Sequence, residues 1–212
     1  MLRVVTPGVA NAPGWASKET RQAARQKHGL PRDASLLLFV GNDFVKKGLP
    51  TLLSALEKLP EKTHLVVVGN SEGVQAMQRL AQLAGLTQRV HFLGSLADME
   101  TAYQAADLLV HPTLEDSYGM VVLEAMAHGL PVVVSAAPYS GIAQDLTDGL
   151  NALLLQNPKD VGAIAAAIGS LLGDANFSEK LSKNAAAFAI EHTWVKAASD
   201  YEMMAQRMIK VQ

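Results

Sequence analysis

The sequence contains no cysteine in its 212 residues. That absence removes disulfides, thiolate-held zinc, iron–sulfur clusters and thiol nucleophiles. Aromatic residues are scarce at 5% of the chain, and neither sign of charge dominates: 18 basic residues face 20 acidic ones, a formal net charge of −2. Such a balance excludes the dense positive face on which phosphate-backbone binding depends, so no nucleic-acid partner is expected. No apolar run approaches the roughly 20 residues that a bilayer span requires. The opening Met1-Leu2-Arg3-Val4-Val5-Thr6-Pro7-Gly8 lacks the layout of a signal peptide. The expectation is a cytoplasmic protein without a transmembrane segment.

What is present is apolar and periodic. Hydrophobic residues make up 49% of the chain, and a chain of this length can bury a core without metal or disulfide support. Short continuous apolar runs at Leu36–Gly41, Leu65–Gly69, Val90–Leu93, Leu108–His111, Val132–Val134 and Ala152–Leu155 read as buried strands. Between them, Leu49–Leu59, Val74–Ala84, Met99–Ala106 and Met120–His128 carry helical spacing. Beyond Pro158 the pattern is helical and alanine-rich through Met208. Six strands alternating with helices predict an α/β fold, a doubly wound, Rossmann-like parallel sheet with helices on both faces and C-terminal helices. Residues 1–30, broken by Pro7, Gly8, Pro13 and Gly14 before a polar helix over Thr20–His28, read as a linker and leading helix, with the domain itself over 31–212.

Ligands of such sheets bind beyond the carboxyl ends of the strands. The loop Gly41-Asn42-Asp43-Phe44-Val45-Lys46-Lys47-Gly48 follows a strand and precedes a helix, but lacks the Lys-Ser/Thr of a P-loop. Its two lysines and the N–H groups at the helix start suit a diphosphate. A solvated loop with ordinary surface lysines fits the same residues. Gly69-Asn70-Ser71-Glu72-Gly73 matches the nucleophile elbow of α/β-hydrolases, with Asp107, Asp145, His128 and His192 as possible triad partners for an esterase using Ser71. No HGGG-type oxyanion segment precedes it.

The segment from His111 to Val134 is richer. The helix expected over Met120–Ala127 is apolar on nearly every side except at Glu124. A carboxylate in a buried helix is costly unless paired or hydrogen-bonded, so Glu124 either meets an internal cation or accepts from ligand hydroxyls. Gly119 leaves the N–H groups of that helix uncovered, a seat for an anion. Asp116 lies on the same rim, where it could also cap the helix.

These residues resemble the retaining, nucleotide-sugar-dependent glycosyltransferases of the two-Rossmann GT-B fold, the group 1 (family 4) enzymes, in their C-terminal donor-binding domain. The hallmark of that family is an acid, seven residues, a Glu, then Ala-Met-Ala-x-Gly-x-Pro-Val-Val. Asp116, Glu124 and Ala125-Met126-Ala127-His128-Gly129-Leu130-Pro131-Val132-Val133 fit it without a gap. Val5-Thr6-Pro7-Gly8-Val9 is similar to the segment joining the two domains. Arg25-Gln26-Lys27-His28-Gly29 and the loop through Lys46-Lys47-Gly48 resemble the lipopolysaccharide-core heptose glucosyltransferases.

The resemblance implies that Glu124 binds the ribose hydroxyls, Lys47 with Lys46 neutralises the diphosphate, and Asp116 orients the donor sugar. Gly41, Asn42, Tyr118, Gly119 and Met120 would complete the diphosphate site, and Val90, Phe92 and Leu93 would line the base. Asp116, Lys47 and Glu124 would be the catalytic set. The family needs no metal and no cofactor; its nucleotide sugar, here UDP-glucose, is a substrate. The implied acceptor is a cell-envelope glycan such as lipopolysaccharide core, held by an N-terminal domain expected to be missing here, with peripheral contact at the inner membrane belonging to the full-length enzyme. Without that domain the chain would bind donor and not transfer it, and a non-catalytic nucleotide-sugar-binding module is the remaining alternative. Three positions depart from the pattern: Asn42 stands where an Arg is usual, Asp116 where Glu is usual, and Gln144 where an acid is common.

Overall fold

The computed structural model describes residues 5–70 and 72–209. Six parallel strands form one sheet: β1 (Ser35–Val40), β2 (Thr63–Val68), β3 (Val90–Gly94), β4 (Leu108–His111), β5 (Val132–Ser135) and β6 (Leu153–Leu155). Their spatial order is β3-β2-β1-β4-β5-β6. The chain therefore winds outward from β1 in one direction and from β4 in the other. The β1/β4 junction is the topological switch point, where the loops leaving two adjacent strands diverge and open a crevice.

Alternation along each strand builds two cores. Leu36, Leu38, Val66, Val68, Leu109, Val132 and Val134 face one side, against α1 (Lys18–Lys27), α4 (Glu100–Ala105), α5 (Met120–Ala127) and part of α7 (Ala175–Ile190). Leu37, Phe39, Leu65, Val67, Val110 and Val133 face the other, against α2 (Leu49–Leu56), α3 (Val74–Leu83) and α6 (Val161–Gly173). Helix α8 (Trp194–Ile209) ends the described chain. Both faces being covered explains why the strands read as continuous apolar runs rather than as alternating ones. Among the described residues no single helix is long and apolar enough to cross a membrane.

The leading segment is packed. Val9 pairs with Thr193 through two backbone hydrogen bonds, to His192 O and from Trp194 N, and Gly14 N donates to Ala127 O. Arg25 of α1 is buried, donating to the carbonyls of Ala105, Arg32 and Ala34 and to Asp107. A guanidinium out of water is tolerable because each face of its fork finds an acceptor.

Candidate functional site

The loop after β1 is held by its own backbone. Lys47 N donates to Asp43 O at 2.8 Å, Leu49 N to Phe44 O at 2.9 Å, and Lys46 N to Asp43 Oδ1 at 3.0 Å. Phe44 is buried beneath it, edge-on to Phe39. Gly48 then turns into α2 at φ +82°, and a Cβ there would stand 2.0 Å from the carbonyl oxygen of Pro112. Only glycine lets the β1 loop close onto the β4 loop, where Leu114 N also donates to Lys46 O at 2.8 Å. This contact spans the switch point.

The β4 loop carries Asp116, whose backbone is pinned by Tyr139 O at 2.8 Å and Gly141 N at 3.1 Å. Its Oδ2 accepts from Lys47 Nζ at 2.7 Å and lies 2.9 Å from His111 Nε2, while Lys47 Nζ also donates to Glu115 O at 3.1 Å. Burial favours the neutral acid, but the hydrogen bonds from His111 and Lys47 and the lysine charge outweigh it and hold the Asp116 carboxyl well below the usual range. Burial pushes the enclosed His111 imidazole down, against the pull of Asp116. His111 is thus neutral near pH 7 and donates Nε2–H to the carboxylate.

Asp116 does not cap α5. That helix begins at Gly119, at φ +105°, with no side-chain cap, and the carboxylate only approaches Tyr118 N at 3.4 Å. The first N–H groups of α5 are therefore without a side-chain cap, at the positive end of the helix dipole. A cation and a bare helix N-terminus thus share the rim with an ionised carboxylate.

One turn into α5, Glu124 is half-buried, and among the described residues no cation pairs with it. Its partner is neutral: Tyr103 OH donates to Oε2 at 2.5 Å. Of the two readings left by the sequence, the internal cation is not found among the described residues, and a hydroxyl donor occupies one carboxylate oxygen. Glu124 lines a cavity of about 360 Å³ together with Tyr103, Met120, His128, Met99 and Trp194. Tyr103 escaped the sequence reading. The only signal was a hydroxyl inside an otherwise apolar helix face.

The other predicted residues divide. Tyr118, Gly119 and Met120 form the turn into α5, and Gly41 lies against the stem of Lys47. Asn42 ties the β1 loop to the β2 loop, its Oδ1 accepting from Asn70 N at 3.0 Å. Lys46 reaches the exposed Glu115 at 3.4 Å. Leu93 sits near the carboxyl end of β3, and Phe92 faces the opposite side, tilted against Phe44 at 6.5 Å. Val90 opens β3 at its amino end and packs in the core, one strand length from the rim. Ser71 lies outside the described residues. Of its possible partners, Asp107 is engaged at the amino edge of the sheet by Arg21, Arg25 and Leu36 N, and His192 Nδ1 is bonded to Phe188 O. Among the described residues no group of three or more His, Asp or Glu side chains could hold a metal ion.

Residues 20–188 match the family model described as glycosyl transferases group 1. The chain is 35% identical over 208 residues to a D-inositol 3-phosphate glycosyltransferase of Xylanimonas cellulosilytica, covering 93% of this chain and 49% of that protein. It is 33% identical over 163 residues to the lipopolysaccharide glucosyltransferase WaaG of Escherichia coli, covering 74% of this chain and 43% of WaaG. The chain thus spans about half the length of the curated relatives it matches. A crystal structure of WaaG superposes with a TM-score of 0.78 at 30% identity, over 88% of this chain and 51% of that one. The Anabaena protein HepE, solved with UDP and glucose, shares the fold with a TM-score of 0.86 at 23% identity, over 98% of this chain and 57% of that one. A Rossmann-like sheet with an acid, a glycine-started buried helix and a glutamate at its switch point, and these relatives, lead to one conclusion: the chain belongs to the group 1 glycosyltransferases.

Proposed function

We propose that this chain is the donor-binding half of a retaining GT-B glycosyltransferase, with UDP-glucose as donor and a cell-envelope glycan such as lipopolysaccharide core as acceptor. The observation that carries the proposal is the set of groups at the β1/β4 crevice, Lys47, Asp116 and the uncapped start of α5, with Glu124 one turn further along α5 in a cavity that Met120 also lines. A diphosphate needs cations and N–H donors, a ribose needs a hydroxyl acceptor, and a hexose needs a fixed carboxylate. Lys47 with the start of α5, Glu124 and Asp116 supply these in turn. The 33% identity to the glucosyltransferase WaaG supports the donor and acceptor classes.

In this reading the diphosphate lies between Lys47 Nζ and the N–H groups around Tyr118–Met120, with the hexose hydroxyls on Asp116. The bond from the sugar C1 to the phosphate oxygen breaks, and the electron pair leaves with the diphosphate, where Lys47 and the helix start stabilise the growing charge. The acceptor hydroxyl bonds to C1 on the same face, and its proton passes to a donor phosphate oxygen. Lys47 must exchange its bond to Asp116 for the diphosphate, so donor binding frees that carboxylate for the sugar. The acceptor site is assigned to an N-terminal domain outside this chain, and the complete enzyme would work in the cytoplasm at the inner membrane face.

Calorimetric titration with UDP and UDP-glucose tests the reading. Saturable binding that Glu124→Ala weakens at least roughly tenfold supports it, the size expected for a lost charge-assisted contact. No binding, or binding indifferent to the substitution, contradicts it.

A further inference from the structure

Glu124 does not stand alone in the ribose position assigned above. The Tyr103 hydroxyl lies 2.5 Å from its Oε2, and no other side chain donates to this carboxylate among the described residues. Tyr103 is itself immobilised. Its ring is 2% exposed and stacks on the His128 imidazole at 4.9 Å and 24°. His128 is fixed in turn by Nδ1, 2.9 Å from the Glu124 carbonyl. A phenol with only two side-chain torsions, packed on one face, points its hydroxyl in one direction.

We infer that Tyr103 is a positioning residue for nucleotide recognition: by occupying Glu124 Oε2 it fixes the carboxylate so that Oε1 is presented to a vicinal ribose diol. This inference rests on the donor-binding reading above. A free glutamate has three torsions to order when a ligand arrives, and ordering a long side chain costs affinity. With Oε2 already satisfied, that cost is met before the nucleotide binds. The same arrangement selects for ribose, because a nucleotide without the diol leaves a half-buried carboxylate oxygen unpaired. Burial first, and the Glu124 charge second, raise the Tyr103 phenol well above its ordinary value, so it remains a donor throughout the neutral range.

The test is a double-mutant cycle read by calorimetry with two probes, UDP and 2′,3′-dideoxyuridine diphosphate. Tyr103→Phe retains the ring and its stack on His128, and a thermal melt checks that the fold persists. The expected result is that Tyr103→Phe weakens UDP roughly tenfold while changing the dideoxy probe less than about twofold, a loss of ribose selectivity on the scale of one charge-assisted hydrogen bond. In a Glu124→Ala background the same substitution should add nothing. Equal weakening of both probes would mean a purely structural role and overturn the inference, as would unchanged UDP affinity. Wild-type protein that fails to bind UDP at all would overturn the donor-binding reading and this inference with it. Wild-type binding with no effect of Tyr103→Phe would overturn this inference alone.

Discussion

Lys47 and Asp116 are 69 positions apart in sequence and joined at 2.7 Å across the switch point of the sheet. The pair ties the first loop of one half of the winding to the first loop of the other. In the proposed function each partner also acts on the donor, so the contact would be both a brace and a bond that the donor exchanges. Lys47 keeps 20% of its side-chain surface exposed and Asp116 15%, so the pair is largely but not wholly enclosed.

Lys47→Ala is expected to weaken UDP binding by roughly tenfold or more, since a charge-assisted contact to phosphate is lost. Inorganic pyrophosphate should lose affinity in parallel. Competition calorimetry with the two ligands checks this, and retained pyrophosphate affinity would place the diphosphate elsewhere.

Asp116 predicts a pH dependence of stability. Its folded-state carboxyl is held below the unfolded one, so its contribution is complete above the unfolded value near 4 and is lost as pH falls through the lower folded value. Asp116→Asn should cost about 1–3 kcal/mol at pH 7, and the gap to wild type should narrow under acid. Urea unfolding at several pH values measures it.

The histidine pair on the β2–β3 edge predicts a second, milder acid limb. His64 Nδ1 and His91 Nε2 are 3.0 Å apart with nearly parallel rings. One proton can bridge them, and two charges cannot. Burial lowers both, with Arg89 adding to His64 and His64 to His91. The unfolded chain therefore binds more protons below about pH 6.5, and stability falls as pH drops through that value. His91→Phe should flatten this limb in thermal melts between pH 7 and 5; an unchanged slope would remove the pair from the account.

All six strands were legible because both faces of the sheet are covered, which leaves unbroken apolar runs such as Leu65-Val66-Val67-Val68. Helix ends were less so. The expected Leu49–Leu59 helix stops at Leu56, as Lys58 N and Leu59 N turn back to Ala55 O and Leu56 O ahead of Pro60. Helix α1 starts at Lys18, two residues earlier than expected, because Ser17 caps it through Thr20 N. At the site, Asp116, Lys47 and Glu124 could be chosen from local sequence, since each is a charged residue in an unusual place. Their partners could not. His111 reads as the end of a strand, and the Tyr103–Glu124 contact joins two helices that only the sheet order brings together. The resemblance implies Val90, Phe92 and Leu93 together at the base, whereas β3 separates Val90 at its amino end from Leu93 and Gly94 at its carboxyl end.

Gly48→Ala tests the backbone closure directly. The positive φ alone costs roughly 1–2 kcal/mol for an L residue, and the carbonyl of Pro112 at 2.0 Å from the new Cβ must also move. The variant should unfold at lower urea and bind UDP more weakly, because Lys47 is carried on the displaced loop. Wild-type stability would mean that the two loops can separate freely.

A crystal structure of this chain soaked with UDP measures the central claim most directly. The diphosphate is expected within hydrogen-bond distance of Lys47 Nζ and the first N–H groups of α5, with a ribose hydroxyl on Glu124. UDP bound instead at the amino edge of the sheet, in the cavity lined by Trp15, Leu171 and Leu172, with Lys47 still on Asp116, would contradict it.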